Sequence, residues 1–136
     1  MMRTGAVSRV GITEAAAEVL QGLIDRHGPV VFHQSGMSRD SGSPLCCPLS
    51  EFRVGAADVL LGRVFPDTPF WMSADQFERW RHSHLTVDVV PGRRGGFSLE
   101  AHEGVRFIIR SRVFTDAEAA VLEAAPAPRR GADLTG

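Results

Sequence analysis

The chain has 136 residues with 15 basic and 16 acidic side chains, and every basic one is arginine. Because lysine and tyrosine are both absent, Schiff-base chemistry, the Gly-x-x-x-x-Gly-Lys phosphate loop and phenolic acid, base or nucleophile roles are excluded. A net charge of −1 lacks the basic excess typical of nucleic-acid-binding proteins, so we expect no nucleic-acid partner.

The length predicts one domain that buries a core without disulfides or a structural metal. We expect this domain to span residues 12–125, with flexible tails at 1–11 and 126–136. No apolar run approaches the roughly 18 residues of a membrane span, and Met1–Arg9 lacks the apolar core of a signal peptide. These features predict a cytoplasmic protein without a membrane partner.

Three helices are predicted from their N-terminal caps. Thr13 is placed to cap a helix from Glu14 to about His27, whose apolar residues recur at the spacing of one helical face. Ser73–Gln76 and Thr115–Glu118 have the pattern of capping boxes, which predicts a short middle helix and a C-terminal helix.

Between these helices the chain has the patterns of β-strands. Leu85, Val87 and Val89 alternate with polar residues, a period of two that suits a sheet with one buried face. The predicted strands are Val30–Gln34, Glu51–Val54, Val59–Val64, Leu85–Val90, Gly96–Glu100 and Val105–Val113. The predicted fold is therefore a compact α+β domain with mainly antiparallel sheets.

The segment Ser35–Ser50 fits neither a helix nor a strand. It contains five serines, two glycines and two prolines, which indicates an irregular loop of 16 residues. Loops of that length in compact domains are usually functional or disordered. We therefore expect the functional site here.

The loop and the preceding strand carry His33, Asp40, Cys46 and Cys47. Imidazole, carboxylate and thiolate are ligands for zinc or iron, so these four residues are candidate metal ligands. Their spacing matches no standard zinc finger, and on spacing alone a strand histidine satisfied by the backbone, a turn aspartate and two small apolar cysteines are favoured over a metal site. A second reading makes Cys46 a nucleophile with His33 as its base.

Other candidates lie in the second half of the chain. His82 and His84 are further candidate metal ligands, although histidine at the end of a helix is also favoured by the helix dipole. Arg106, Arg110 and Arg112 share one strand face, where we expect them to pair with acids. The candidate acids are Asp88, Glu100 and Glu103.

At the His33 loop the sequence resembles an uncharacterised bacterial family known as domain of unknown function 779. The likeness runs from about Thr13 to Glu118 without evident gaps. The motifs that carry it are Phe32-His-Gln-Ser-Gly36, Asp40, Ser43-Pro44, Cys46, Glu51-Phe-Arg-Val-Gly55, Asp58-Val-Leu-Leu-Gly62, Pro69-Phe70, Met72-Ser73, Gln76-Phe77-Glu78, Asp88-Val-Val-Pro-Gly92, Gly95-Gly-Phe-Ser-Leu-Glu100, Gly104-Val-Arg-Phe107 and Ser111-Arg112.

Members of this family are commonly encoded near alcohol or aldehyde dehydrogenases, so the resemblance implies such a dehydrogenase as a partner. The family loop usually continues after Gly36 with a glycine and two cysteines, whereas this chain has Met37, Ser38 and Arg39. Cys47 stands where an aromatic residue is usual. If the family's cysteines bind metal, this chain has a degenerate site or uses its own ligands differently.

The layout is also similar to the A-type iron–sulfur carriers, which are HesB-like proteins. Thr13, Ser35-Gly36, Leu85–Val90 and Gly95-Gly-Phe97 correspond to their helix, glycine loop and later strands. The carriers' C-terminal Cys-Gly-Cys is missing, so the likeness implies a β-rich α+β fold rather than cluster carriage.

The leading hypothesis is a small accessory protein, not itself an oxidoreductase, that serves an alcohol or aldehyde dehydrogenase. It binds a metal ion or small ligand at the His33–Cys47 loop, and no nicotinamide or flavin is expected. Two alternatives stay open. One is a cysteine-dependent enzyme with Cys46 and His33, and the other is an interaction module whose exposed Trp71 and Trp80 bind a partner or a second copy.

Overall fold

A computed structural model describes residues 8–34, 44–65, 67–92, 104–125, 128, 130 and 131. These residues form an α+β fold, as predicted. The elements in chain order are β1 Val10–Ile12, α1 Glu14–His27, β2 Val30–Gln34, β3 Leu45–Pro48, a 3₁₀ turn Leu49–Glu51, β4 Val59–Val64, β5 Thr68–Met72, α2 Ala74–Trp80, β6 Ser83–Pro91, β7 Val105–Val113 and α3 Asp116–Ala124.

All three predicted helices begin at the predicted caps. The side chains of Thr13 and Ser73 each accept a hydrogen bond from the backbone N–H three residues on. Thr115 and Glu118 form the complete reciprocal capping box at the start of α3. Helix α1 ends at Gly28, whose φ of 81° is the left-handed conformation that glycine adopts without strain.

The strands form two mixed sheets. In the first, the order is β1-β6-β7, with β1 parallel and β7 antiparallel to β6. In the second, the order is β3-β2-β5-β4, with β2 parallel to β5 and the outer pairings antiparallel. Strand β2 is thus hydrogen-bonded on both sides, which fixes its register firmly.

Phe32 on β2 joins the two sheets across the core. Its ring lies 5.1 Å from that of Phe107 in the first sheet, edge to face, and 5.7 Å from that of Phe70 in its own sheet. Helix α1 covers the core with Ala16, Leu20 and Leu23, which are fully buried. The chain therefore buries a single aromatic-centred core between the sheets and α1.

Four local features differ from the sequence prediction. The segment Glu51–Val54, predicted as a strand, instead ends a 3₁₀ turn and continues without regular structure. Strand β3 lies inside the predicted irregular loop, because its pairing with β2 is a tertiary interaction that local sequence does not encode. Strand β5, Thr68–Met72, was not predicted because its residues are all buried and show no alternation.

The fourth difference lies in the predicted N-terminal tail. Residues Val10 and Gly11 belong to β1, and Val10 is only 2% exposed. Sequence analysis did not detect this strand, because three residues in a parallel pairing carry too little pattern. The predicted strand Gly96–Glu100 lies outside the described residues. No helix in the described part of the chain is long and apolar enough to cross a membrane.

Two of the strand arginines, Arg110 and Arg112, have carboxylate partners. Arg110 donates to the Asp88 carboxylate at 2.6 Å, as predicted, and Thr13 donates to the same carboxylate at 2.8 Å. These hydrogen bonds lower the pKa of Asp88, with that from Arg110 contributing most. Arg112 differs from the prediction, since it makes a two-bond pair with Glu118 of α3.

We expect Val10→Ala to destabilise the fold by about 1–3 kcal/mol, because it removes buried methyl groups between β1 and the core. Urea denaturation would measure the loss. Val113→Ala is the matched control, since Val113 is also in a strand but is 76% exposed, and it should cost less than about 1 kcal/mol. Equal losses in the two variants would show that β1 does not contribute to the core.

Candidate functional site

The ends of three strands meet at one edge of the second sheet. Gln34 at the end of β2 pairs with Met72 at the end of β5, which pairs with Val59 at the start of β4. His33 immediately precedes Gln34, and Asp58 immediately precedes Val59. Both residues therefore lie at this edge of the sheet. The Nε2 atom of His33 is 3.3 Å from the Oδ2 atom of Asp58, and both side chains are 17% exposed.

A tight turn fixes the Asp58 carboxylate before β4 begins. The Asp58 backbone N–H donates to the Gly55 carbonyl at 3.0 Å, and the Gly55 N–H donates to Asp58 Oδ2 at 2.8 Å. A segment near the C-terminus also holds this turn, because the Gly131 N–H donates to the Asp58 carbonyl at 2.8 Å. The carboxylate that faces His33 is thus held by the Gly55 N–H, while the Asp58 backbone is held from two parts of the chain.

The predicted tail residues 130 and 131 take part in this packing. Arg130 forms a β-bridge with Val59 and donates to the Ala57 carbonyl. Gly131 is required where it lies, because a Cβ atom there would collide with the Gly55 carbonyl oxygen. The predicted flexible tail therefore includes residues that pack against the Asp58 turn.

The His33 ring packs against aromatic groups on its own face of the sheet. Its centroid lies 5.4 Å from that of Phe52, at an interplanar angle of 45°. His33 is paired in register with Trp71, which in turn pairs with Leu60, so the three side chains form a row on one face. We call this the His33 face; Phe32 lies on the opposite, core face.

The structure separates the two cysteines. Cys46 pairs with Phe32 and is fully buried in the core, whereas Cys47 pairs with Val31 and so lies on the His33 face. Because side chains alternate along a strand, Cys46 and His33 project from opposite faces of the sheet. The predicted nucleophile–base pair of Cys46 and His33 is therefore not formed in this structure.

Cys47 shares a face with His33 but lies two residues further along the hairpin. The pKa of the Cys47 thiol is raised from its ordinary value, first by burial and then by the Glu51 carboxylate. A raised pKa lowers the fraction of thiolate at neutral pH, which is the reactive and metal-binding form. Cys47 is thus not prepared as a nucleophile.

The other predicted ligands that the structure describes do not join His33. Asp40 lies outside the described residues. His82 and His84 flank the start of β6 in the first sheet, where the His84 ring packs 6.4 Å from that of Phe114. Burial and, to a lesser extent, Arg112 lower the pKa of His84. Within the described ranges no three histidine, cysteine, aspartate or glutamate residues form a group that could hold a metal.

A cavity of about 500 Å³ opens beside the row that contains His33. Trp71 forms part of its wall although this residue is only 5% exposed. The remaining lining is mainly apolar, with Ile24, Pro29, Val30, Leu49, Leu60, Arg63, Asp67, Thr68 and Pro69.

The two tryptophans do not form the predicted exposed surface together. The indole N–H of Trp80 donates to the Gln76 side chain at 3.2 Å. The predicted exposed Trp71/Trp80 surface is therefore wrong for Trp71, which lines a cavity.

Sequence reasoning missed Asp58 as the partner of His33. A polar residue immediately before an apolar strand, after a glycine three residues earlier, is a detectable turn signal. Its pairing with His33 is a tertiary contact across three strands and has no local signal.

These features define a small α+β domain with a half-enclosed His–Asp pair at the edge of a mixed sheet. Residues 19–113 match the model of a family described as a domain of unknown function, DUF779. Since the match covers more than half of the chain, the chain belongs to that family. No curated protein and no solved structure matches the chain. The layout likeness to A-type iron–sulfur carriers stays a prediction.

We expect both cysteines to react slowly with iodoacetamide at pH 7 in the native protein. Cys46 is buried, and the raised pKa of Cys47 leaves little thiolate. The variant Glu51→Gln removes a negative charge beside Cys47 and should increase labelling of Cys47 severalfold while leaving Cys46 unchanged. Mass spectrometry of peptides from Cys47→Ser and Cys46→Ser variants assigns each rate. Fast labelling of Cys46 in the native protein would support the hypothesis of a cysteine-dependent enzyme.

Proposed function

We propose that this protein is an accessory protein that binds a divalent metal ion at the edge of the second sheet, with His33 and Asp58 as two of its ligands. The observation that carries the proposal is the 3.3 Å separation of His33 Nε2 and Asp58 Oδ2. Two ligands of a tetrahedral zinc ion, each about 2.0–2.2 Å from it, are separated by about 3.4 Å. Iron is the other candidate ion.

The surroundings of the pair suit a metal ligand set. The Gly55 N–H donates to the Asp58 carboxylate and orients it, as outer hydrogen bonds commonly do at metal sites. Asp40 is a candidate third ligand, because it belongs to the segment that leaves β2 immediately after Gln34. Cys47 is left out of the set, because its thiol has a raised pKa and no three such ligands come together within the described residues.

This ligand set revises the one expected from sequence. His33 and Asp40 are retained and Asp58 is added. Cys46 is removed because its side chain is buried on the core face, and Cys47 because, within the described residues, it forms no group of three with His33 and Asp58. The proposal gives the protein no catalytic cysteine, in keeping with an accessory role in the cytoplasm rather than with a thiol enzyme.

Metal analysis of protein purified without a histidine tag tests the site. We expect about one zinc or iron per chain, and at least tenfold weaker metal affinity in His33→Ala and Asp58→Asn, since each removes a ligand. The Asn side chain can still accept from Gly55, so the turn should persist. His27→Ala and Asp67→Asn are matched controls, because both residues are exposed and remote from the pair.

Thermal melts of all four variants check that the fold survives. Metal content far below one per chain in the unsubstituted protein, or equal affinity in His33→Ala and His27→Ala, would exclude the metal site.

The partner in this proposal is an alcohol or aldehyde dehydrogenase, as the genomic neighbourhood typical of the family suggests. We expect the protein to co-elute in size-exclusion chromatography with the dehydrogenase encoded beside it. His33→Ala should retain the complex if the metal site serves the partner rather than the interface. Separate elution, together with unchanged dehydrogenase activity on adding equimolar protein, would contradict the partnership. Elution of the protein alone also reports whether two copies associate.

A further inference from the structure

A second cavity, of about 560 Å³, lies between α2, the end of β7 and α3. His33, Asp58 and Cys47 do not line it, although Arg130, which contacts the Asp58 turn, does. Arg9, Phe77, Arg81, His82, Val113 and Leu122 are among the residues that line it. Its volume is within the range of about 300–1,000 Å³ that holds small organic ligands.

Two arginines meet over one aromatic ring in this cavity. The guanidinium carbon of Arg9 lies 5.3 Å from the Phe77 ring centroid, and that of Arg81 lies 5.6 Å from it. Arg9 also donates to the Arg81 backbone carbonyl at 2.9 Å, which fixes its direction. Phe77 is itself 4% exposed, so the ring is a rigid platform for both cations.

The charges of this pair are not balanced within the described residues. Arg81 has a carboxylate partner, Glu78, at 3.2 Å. Among the described residues, Arg9 contacts neutral groups, namely the Arg81 carbonyl and the Phe77 ring. Burial and the positive charge of Arg81 lower the pKa of Arg9. A guanidinium has five N–H donors, and the carbonyl takes one of them, so Arg9 keeps donors for an anion.

The remainder of the wall is mixed: apolar side chains lie beside His82, Arg130 and the two carboxylates Glu78 and Glu123. Val113 is 76% exposed beside the cavity, and Phe114, Ala119 and Leu122 continue the apolar surface towards α3. The second carboxylate in the lining, Glu123, is on the exposed end of α3. An inorganic anion would pair with the Arg9 guanidinium but would leave the apolar side chains of the cavity exposed to water. An organic carboxylate with an apolar body would pair with the guanidinium and also cover the apolar side chains.

We propose that this cavity binds a small organic carboxylate, with its charged group on Arg9 and Arg81 and its apolar body against Phe77, Val113 and Leu122. The planar fork of a guanidinium matches a carboxylate through two parallel hydrogen bonds. This site is separate from the proposed metal site, and neither proposal depends on the other.

Isothermal titration calorimetry with benzoate as the probe tests the proposal. We expect saturable one-to-one binding, and at least tenfold weaker binding of benzyl alcohol and of inorganic phosphate, each of which lacks one half of the ligand. Arg9→Gln should weaken benzoate binding at least tenfold. Arg79→Gln is the matched control, because Arg79 lies on the same helix as Phe77 but is exposed and does not line the cavity.

A second variant keeps the test independent of the packing of Arg9. Leu122→Glu keeps the Arg9 residue but places a negative charge on the facing helix, which should repel the carboxylate and weaken benzoate binding at least tenfold; a thermal melt checks that the fold survives. Absence of saturable benzoate binding, equal affinity in Arg9→Gln and Arg79→Gln, or phosphate binding as tight as that of benzoate would each overturn the proposal.

Discussion

The alternation of side chains along β2 is the constraint on which the rest of this structure depends. Hydrogen bonds to β3 and β5 fix the register of β2, so Phe32 must enter the core and His33 must project from the other face. The same register assigns Cys46 to the core and Cys47 to the His33 face. A slip of one residue would expose the Phe32 ring, which contacts aromatic rings in both sheets. Core packing therefore decides which reactive groups can meet.

The Asp58 turn shows how the chain prepares a carboxylate without burying it in the core. Its backbone and side-chain hydrogen bonds to Gly55 are local, so they form wherever this short segment closes on itself. The carboxylate then faces His33 in a fixed direction, and little conformational entropy remains to be lost on binding a third group. The arginine pair over Phe77 follows the same principle, with the aromatic ring as the support.

Much of the fold followed from local sequence signals, because caps and alternation are local. Thr13, Ser73 and Thr115 predicted the three helix starts, and β7 has the predicted bounds. The missed strands β1 and β3 are short, β5 is buried on both faces, and β1 pairs with β6 far along the chain. The site was predicted in part for the same reason: His33 was found from its loop, whereas Asp58 approaches it only through tertiary pairing.

The contact between the Asp58 turn and residues 130 and 131 has a consequence for the order of folding. The hydrogen bond from Arg130 to Ala57 spans 73 positions, so closing it costs far more chain entropy than closing the Gly55–Asp58 turn. Contacts of such separation tend to form late, after local turns and helices. The turn that faces His33 would thus exist in a loosely tethered form first. It would become rigid only when the distal segment docks, which makes that docking the step that completes the site.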